Sequence, residues 1–377
     1  MTPAGHARRR LQRLALALVS LALVAGCAEL AVRAFAPAWL RARMREVAAA
    51  RSLTDWGSDA DWPVESHGGE PVRFVPGSAF DVRDDEYAHR VRIDEYGGRA
   101  SGRAPAGTPP IVPVFGDSMT FGLGVRDEET WVSLAGRSLP VRLENFGMPG
   151  SEMIEDLHAI DALDARLGAP RVCVFVVFLG NDLTQIAPTP APGAGGSSPL
   201  SSWLSAANEA LDQRSILRRW YVVQWTRALA VRAVNASRHE PQVQGMLALM
   251  DRAAVLEPLR RGFAQAADRL VSTAARLRFT PAVVIIPDHF QVDAQLRSDK
   301  AAQYGVPSSS YDPRQPNRIV TDALAARGVA FLDASSCLEG RAGQYFPRDG
   351  HLTVAGHETV ARCVSAFIAE RSAAAER

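Results

Sequence analysis

Along most of the chain, short apolar runs alternate with longer stretches in which apolar residues recur every three or four positions. Five runs, Ile111 to Phe115, Val141 to Phe146, Val172 to Phe178, Ala282 to Ile286 and Val329 to Leu332, have the length and content of buried strands. Thr130 to Leu139, Glu152 to Leu167, a long stretch from Met246 to Leu277, Arg314 to Arg327 and Val354 to Arg371 carry helical spacing. Strand and helix in alternation predict an α/β protein, a three-layer α/β/α sandwich around a central, mostly five-stranded parallel sheet. In such sheets ligands bind beyond the carboxyl ends of the strands. Pro113 runs against the pattern, because it removes a ladder hydrogen bond from the first run, where a central strand wants one.

The N-terminus follows a different rule. Arg8, Arg9, Arg10 and Arg13 precede an uncharged apolar run from Leu14 to Ala28, the layout of an export signal. That run is shorter than the roughly 20 apolar residues of a spanning helix. Val24-Ala25-Gly26-Cys27 resembles a bacterial lipobox, in which Cys27 would be acylated after cleavage. The alternative is an uncleaved signal anchor, an N-terminal hydrophobic helix continuing through Leu30, Val32 and Phe35. Either way the expectation is a protein tethered to a membrane and facing the periplasm or the cell surface.

The expected division is a leader over 1–36, a stalk and N-terminal extension over 37–108, and a main domain over 109–372. The extension is rich in Arg, Ala, Gly and Pro and ends in the linker-like Arg103-Ala104-Pro105-Ala106-Gly107-Thr108-Pro109-Pro110. Within the main domain an insertion is expected around 186–245. It begins with a Pro/Gly/Ser-rich run and continues into a segment with Trp203, Trp220 and Trp225. It reads as an aromatic packing element or as a lid at the strand ends.

Bulk properties narrow the field. A chain of 377 residues buries a full-sized core. Its formal net charge of +1 lacks the electrostatic footprint of nucleic-acid binding. With four cysteines it is no disulfide scaffold, but export permits a bridge. Cys27 belongs to the leader and Cys173 to a strand, which leaves Cys337 and Cys363 as the expected pair. Metal-ligand spacings such as Cys-x-x-Cys or His-Glu-x-x-His do not occur, so neither a metal nor another cofactor is expected.

The chemistry is concentrated after the strands. Gly116-Asp117-Ser118-Met119 follows the first strand, where Ser118 can serve as a nucleophile or merely cap a helix. Asn145-Phe146-Gly147-Met148-Pro149-Gly150 follows the second and Gly180-Asn181-Asp182 the third. Each suits a turn, yet a glycine N–H and an asparagine amide are also the donors that a developing oxyanion requires. Arg348-Asp349-Gly350-His351 follows the last strand. A serine hydroxyl needs an imidazole to take its proton and a carboxylate to hold that imidazole, roles that His351 and Asp349 can fill. Asp288-His289, after the fourth strand, is a weaker alternative acid–base pair, His357 reads as a packing or hydrogen-bonding residue of the closing helix, and His158 belongs to a helix face with no partners in view.

Taken together, these motifs resemble the SGNH/GDSL hydrolases, in the bacterial branch that carries an N-terminal membrane segment. The resemblance runs from about Val91 to Ala369. It includes Arg92-Ile93-Asp94-Glu95-Tyr96-Gly97, Phe121-Gly122-Leu123-Gly124-Val125, Pro287-Asp288-His289-Phe290-Gln291-Val292 and Asp349-Gly350-His351-Leu352. It implies a flavodoxin-like sheet and a serine esterase with Ser118, His351 and Asp349 as triad. The implied oxyanion hole is the N–H of Ser118, that of Gly150 and the side-chain amide of Asn181. The implied substrate is an acyl ester on an envelope glycan or lipid. An O-acyltransferase would use the same acyl-enzyme, and a non-catalytic envelope-binding protein is the reading from another class. Three positions depart from the pattern: Met119 replaces leucine, Leu179 stands where glycine is frequent, and one residue rather than two separates Asp349 from His351.

Overall fold

In a computed structural model of the protein the described residues are 20, 23–24, 26–37, 62–84, 86–101, 110–163, 166–168, 172–186, 243 and 245–376. The chain divides into one unit of residues 1–54 and 195–239 and another of 55–194 and 240–377. In the first, residues 26–35 are helical, Cys27 is exposed, and Arg33 donates to Glu29 one turn earlier at 2.7 Å. No helix among the described residues is long and apolar enough to cross a membrane. Most of the insertion expected around 186–245 lies outside the described residues.

The second unit begins with two antiparallel hairpins, β1 (Val64–His67) with β2 (Glu70–Phe74) and β3 (Ala79–Arg83) with β4 (Ala88–Arg92). These residues belong to the same unit as the central sheet, where the sequence suggested a stalk and extension up to 108. Their alternation was too short to read, because each strand has only four or five residues. What fixes them is aromatic packing. Trp62, Phe74 and Phe80 meet at centroid distances of 5.0 to 5.6 Å, and Phe74 reaches Phe121 at 5.3 Å.

The central sheet is parallel and runs in the order β6-β5-β7-β8-β9. Its strands are β5 (Ile111–Gly116), β6 (Arg142–Gly147), β7 (Val172–Phe178), β8 (Thr280–Ile286) and β9 (Ala330–Asp333). All five expected strands are present at nearly the expected bounds. Pro113 is accommodated because β5 pairs with β7 only after it, at Val114 and Phe115. Alternation sorts the strand residues onto two faces. Phe115, Phe146 and Phe175 stack side by side on one, at centroid distances of 5.4 and 5.6 Å. Val114, Val174, Val176 and Val284 fill the other.

Helices cover both faces. They are α1 (Ser118–Phe121), α2 (Trp131–Gly136), α3 (Met153–Leu163), α4 (Asp182–Ile186), α5 (Glu257–Leu277), α6 (His289–Val292), α7 (Ala294–Gln303), α8 (Gln315–Ala325), α9 (Ser335–Leu338) and α10 (Val354–Glu376). Those on the phenylalanine face are α3, α5 and α8, and those on the valine face are α2 and α10. The long helical stretch expected from Met246 to Leu277 is broken: residues 245–250 form one helical piece, and α5 starts only at Glu257. Pro258 explains the restart, since proline suits the first turn of a helix and not its interior. Helix α7 carried too weak an apolar stripe to be expected; Ala301 is its one buried residue. A disulfide joins Cys337 on α9 to Cys363 on α10, with Cα atoms 6.4 Å apart.

Candidate active site

Ser118 is the first residue of α1, directly beyond β5, so the sheet presents its side chain at the carboxyl end. Asp117 caps the helix by accepting from the Met119 N–H at 2.9 Å. The turn is compressed against β6: a Cβ added to Gly147 would collide with the Phe121 backbone nitrogen, so only glycine lets the two segments approach this closely.

His351 arrives from the far side of the sequence. Its Nε2 lies 2.8 Å from Ser118 Oγ and its Nδ1 2.6 Å from Asp349 Oδ2. The tautomer with a proton on Nδ1 therefore donates to Asp349 and accepts the Ser118 hydroxyl proton on Nε2. The single-residue spacing between acid and base is workable because Gly350, at φ 78°, turns the backbone through the left-handed region. The loop is pinned by Phe346 N–H to the His351 carbonyl at 2.8 Å and Gly350 N–H to the Phe346 carbonyl at 3.0 Å.

The His351 pKa is the outcome of opposed effects. Burial, the largest single effect, lowers it, but the charge and hydrogen bond of Asp349, with the charges of Asp117 and Asp84, together outweigh burial, and the net shift is upward. Asp117 behaves inversely. Burial raises its carboxyl to about 6, against the Met119 N–H, the nearby His351 and the side chains of Asn181 and Ser118, all of which favour the charged form. The Asn181 side chain lies close enough to Asp117 to favour its charged form, while its own Oδ1 has no partner. An amide nitrogen carries two hydrogens, so one can be held by Asp117 and the other left for a ligand. Gly150 ends the loop after β6 at φ 87°, and its carbonyl accepts from the Gln185 side chain of α4 at 3.3 Å.

The described segment before the sheet supplies residues that sequence reasoning missed. Arg99 is fully buried, and its Nε pairs with Asp127 at 3.0 Å. Its Nη1 donates to the carbonyls of Phe121 and Gly122 at 2.8 and 2.6 Å, and its Nη2 to Val125 at 2.6 Å. Arg99 therefore satisfies carbonyls just after α1 that no continuing helix could use. Glu86, in the turn between β3 and β4, touches the loop of Asp349. Tyr87 packs on Phe346 at 5.2 Å, and burial together with the Asp349 charge pushes its phenol up, so it stays protonated. A lone arginine or glutamate in an Arg/Gly-rich stretch gives no sequence signal; only the string Arg92 to Gly97 hinted that this region matters.

The competing histidines are placed elsewhere. His289 stacks on Tyr345 at 4.9 Å and lies 3.8 Å from Asp293. His357 accepts the Trp131 N–H at 3.1 Å, and burial, with Arg99 and His351 nearby, lowers its pKa to about 3. His158 meets the His67 carbonyl at 2.8 Å. Leu179 packs into the core of the phenylalanine face. Met119 is buried on the other. Among the described residues no group of His, Cys, Asp and Glu is arranged to hold a metal ion.

No family model and no curated protein matches the chain. Solved structures that resemble it include the catalytic mutant of Axe2, an acetylxylan esterase from Geobacillus stearothermophilus, with 14% identity, TM-score 0.36, and 70% of this chain and 95% of that one covered. A member of the lipolytic G-D-S-L family from Veillonella parvula is similar at 14% identity, TM-score 0.35, with 67% and 95% covered. The inhibitor-bound aryl esterase of M. smegmatis is similar at 10% identity, TM-score 0.38, with 69% and 99% covered.

Proposed function

We propose that the chain is a serine ester hydrolase of the SGNH/GDSL type. The observation that carries this reading is the continuous relay from Asp349 through His351 to Ser118, at 2.6 and 2.8 Å, at the carboxyl end of a parallel sheet. Ser118 Oγ attacks the ester carbonyl and its proton passes to His351 Nε2. Asp349 stabilises the imidazolium that results. The N–H groups of Ser118 and Gly150 and the free hydrogen of the Asn181 amide receive the oxyanion. Collapse expels the alcohol, which takes the proton from His351, and water repeats the sequence to release the acid and restore Ser118.

The substrate in this reading is an acyl ester of the cell envelope, and the enzyme is tethered there through residues 1–36. The Cys337–Cys363 disulfide supports an oxidising compartment. The test is labelling of the full chain with a fluorophosphonate. Parent protein should be labelled at Ser118 and hydrolyse simple acyl esters, and Ser118→Ala and His351→Ala should do neither. Equal labelling of parent and Ser118→Ala would remove the assignment.

A further inference from the structure

A cavity of about 370 Å³ opens beside Gly150, between the β1–β2 hairpin and α3. Its apolar walls include Trp62, Val72 and Phe146. Its polar lining is made of the carboxyl groups of Glu70, Glu155 and Asp156 together with Ser151 and Gln185, and no basic side chain among the described residues lines it. The Trp62 ring is held on edge against Phe121 of α1 at 6.0 Å, which ties this wall to the helix of the nucleophile.

Asp156 is the unusual member. It is 3% exposed, its Oδ1 accepts from the Ser151 hydroxyl at 3.0 Å, and its Oδ2 has no partner. Burial first, then the nearby charges of Asp117, Glu155 and Glu152, raise its carboxyl well above the usual range, against the Ser151 hydrogen bond. An acid pushed towards its protonated form offers a donor, whereas the exposed carboxyl groups of Glu70 and Glu155 offer acceptors. An unpartnered buried carboxyl is costly and marks a place where a ligand group would be welcome.

We propose that this cavity is a subsite for a neutral, hydroxyl-rich group, a sugar unit of the ester substrate, packed on Trp62 and hydrogen-bonded to Glu70 and Asp156. The inference rests on the ester-hydrolase reading and names the substrate class for it. Hydroxyls are the groups that both donate and accept, which the two kinds of carboxyl demand of one ligand. An anionic headgroup would face three carboxyl groups with no basic side chain among the described lining residues to balance them. An alkyl chain would desolvate the carboxyls without replacing their hydrogen bonds. A simple ammonium ion would leave the Asp156 donor unanswered.

The experiment uses the full-length Ser118→Ala chain in detergent and titrates it with chitotetraose, xylotetraose, choline and a short-chain alkyl phosphate. One or both neutral oligosaccharides should bind, and Glu70→Gln should weaken that binding about tenfold, the loss expected for a hydrogen bond to a charged group. Trp62→Ala should weaken it further. Glu70 is exposed and its replacement is isosteric, so a null result there cannot be attributed to misfolding. Failure of both sugars to bind, equal affinity in parent and Glu70→Gln, or preference for choline or the phosphate would overturn the subsite. Fluorophosphonate labelling of the parent separates the two claims. A labelled chain that binds no sugar loses only the subsite, and an unlabelled chain that binds sugar loses only the hydrolase.

Discussion

The carboxylate of Glu86 accepts the backbone N–H of Asp349 at 2.8 Å, and that of Arg348 at 3.1 Å, so the β3–β4 turn holds the loop carrying the acid of the relay. In the three-residue Asp349-Gly350-His351 unit the acid and base are separated by a single glycine, and the anchor from Glu86 helps to keep Asp349 under the imidazole. Glu86→Ala should lower kcat by about tenfold or more, as expected for lost hydrogen bonds to a charged group, with KM little changed. Glu86→Gln, which keeps an acceptor oxygen, should recover most of it. Steady-state kinetics of the three proteins check this, and a change confined to KM would refute it.

Base catalysis requires neutral His351, and its pKa is raised. Activity in kcat/KM should therefore rise with pH along a limb placed above the ordinary imidazole value of about 6.5. Asp349→Asn removes the charge that opposes burial, so its residual activity should have the limb displaced to lower pH. A pH–rate profile in which both proteins share one limb would mean that another group controls it.

Asn181 should matter to the transition state alone. By analogy with other oxyanion-hole donors, Asn181→Ala should cost about 10² to 10³ in kcat, roughly 2.7 to 4 kcal/mol, with KM nearly constant. The variant should still be labelled by a fluorophosphonate. An unchanged kcat would assign Asn181 to the turn before α4 and to nothing more.

Asp288 lies off the relay, capping α6 by accepting the Phe290 N–H at 2.8 Å, and burial raises its carboxyl to about 7, against the Phe290 and His289 N–H groups. A carboxyl whose folded pKa is raised is bound to its proton more tightly in the folded state, so stability falls as pH rises from its unfolded value of about 4 towards 7. Asp288→Asn should therefore gain Tm relative to the parent across that interval, with the gain level above it. Thermal melts at several pH values decide the matter, and a gain independent of pH would exclude this origin.

Cys27→Ala separates the two readings of the leader. Loss of incorporation of a palmitate analogue, with release of the chain from membranes, is expected of a lipoprotein. Retention in the membrane with no labelled parent is expected of a signal anchor. Fractionation with metabolic labelling of both proteins reads either outcome.

The sheet was legible because Phe115, Val176 and Ile285 sit in runs whose length and composition declare buried strands. The grouping of Ser118, Asp349 and His351, which hydrogen-bond in series, was legible because their motifs follow such runs, and strand ends are where a parallel sheet collects its chemistry. The hairpins were hidden by length, since four residues of Val64–His67 cannot show a period. Glu86, Arg99 and Asp156 were hidden for another reason. Their roles depend on what packs against them, and a single charged residue in a polar stretch looks the same whether it faces water or the backbone of a distant loop.

The burial of Arg99 makes the segment before β5 part of the turn that carries Ser118. A chain cut at the linker before β5 would lose the guanidinium that occupies the carbonyls of Phe121, Gly122 and Val125, and would leave Asp127 buried with its nearest countercharges gone. The turn bearing Ser118 is therefore finished by residues synthesised before the sheet exists. During translation Arg99 leaves the ribosome before Asp127 and α1, so the turn that carries Ser118 is closed only when those later residues reach the guanidinium.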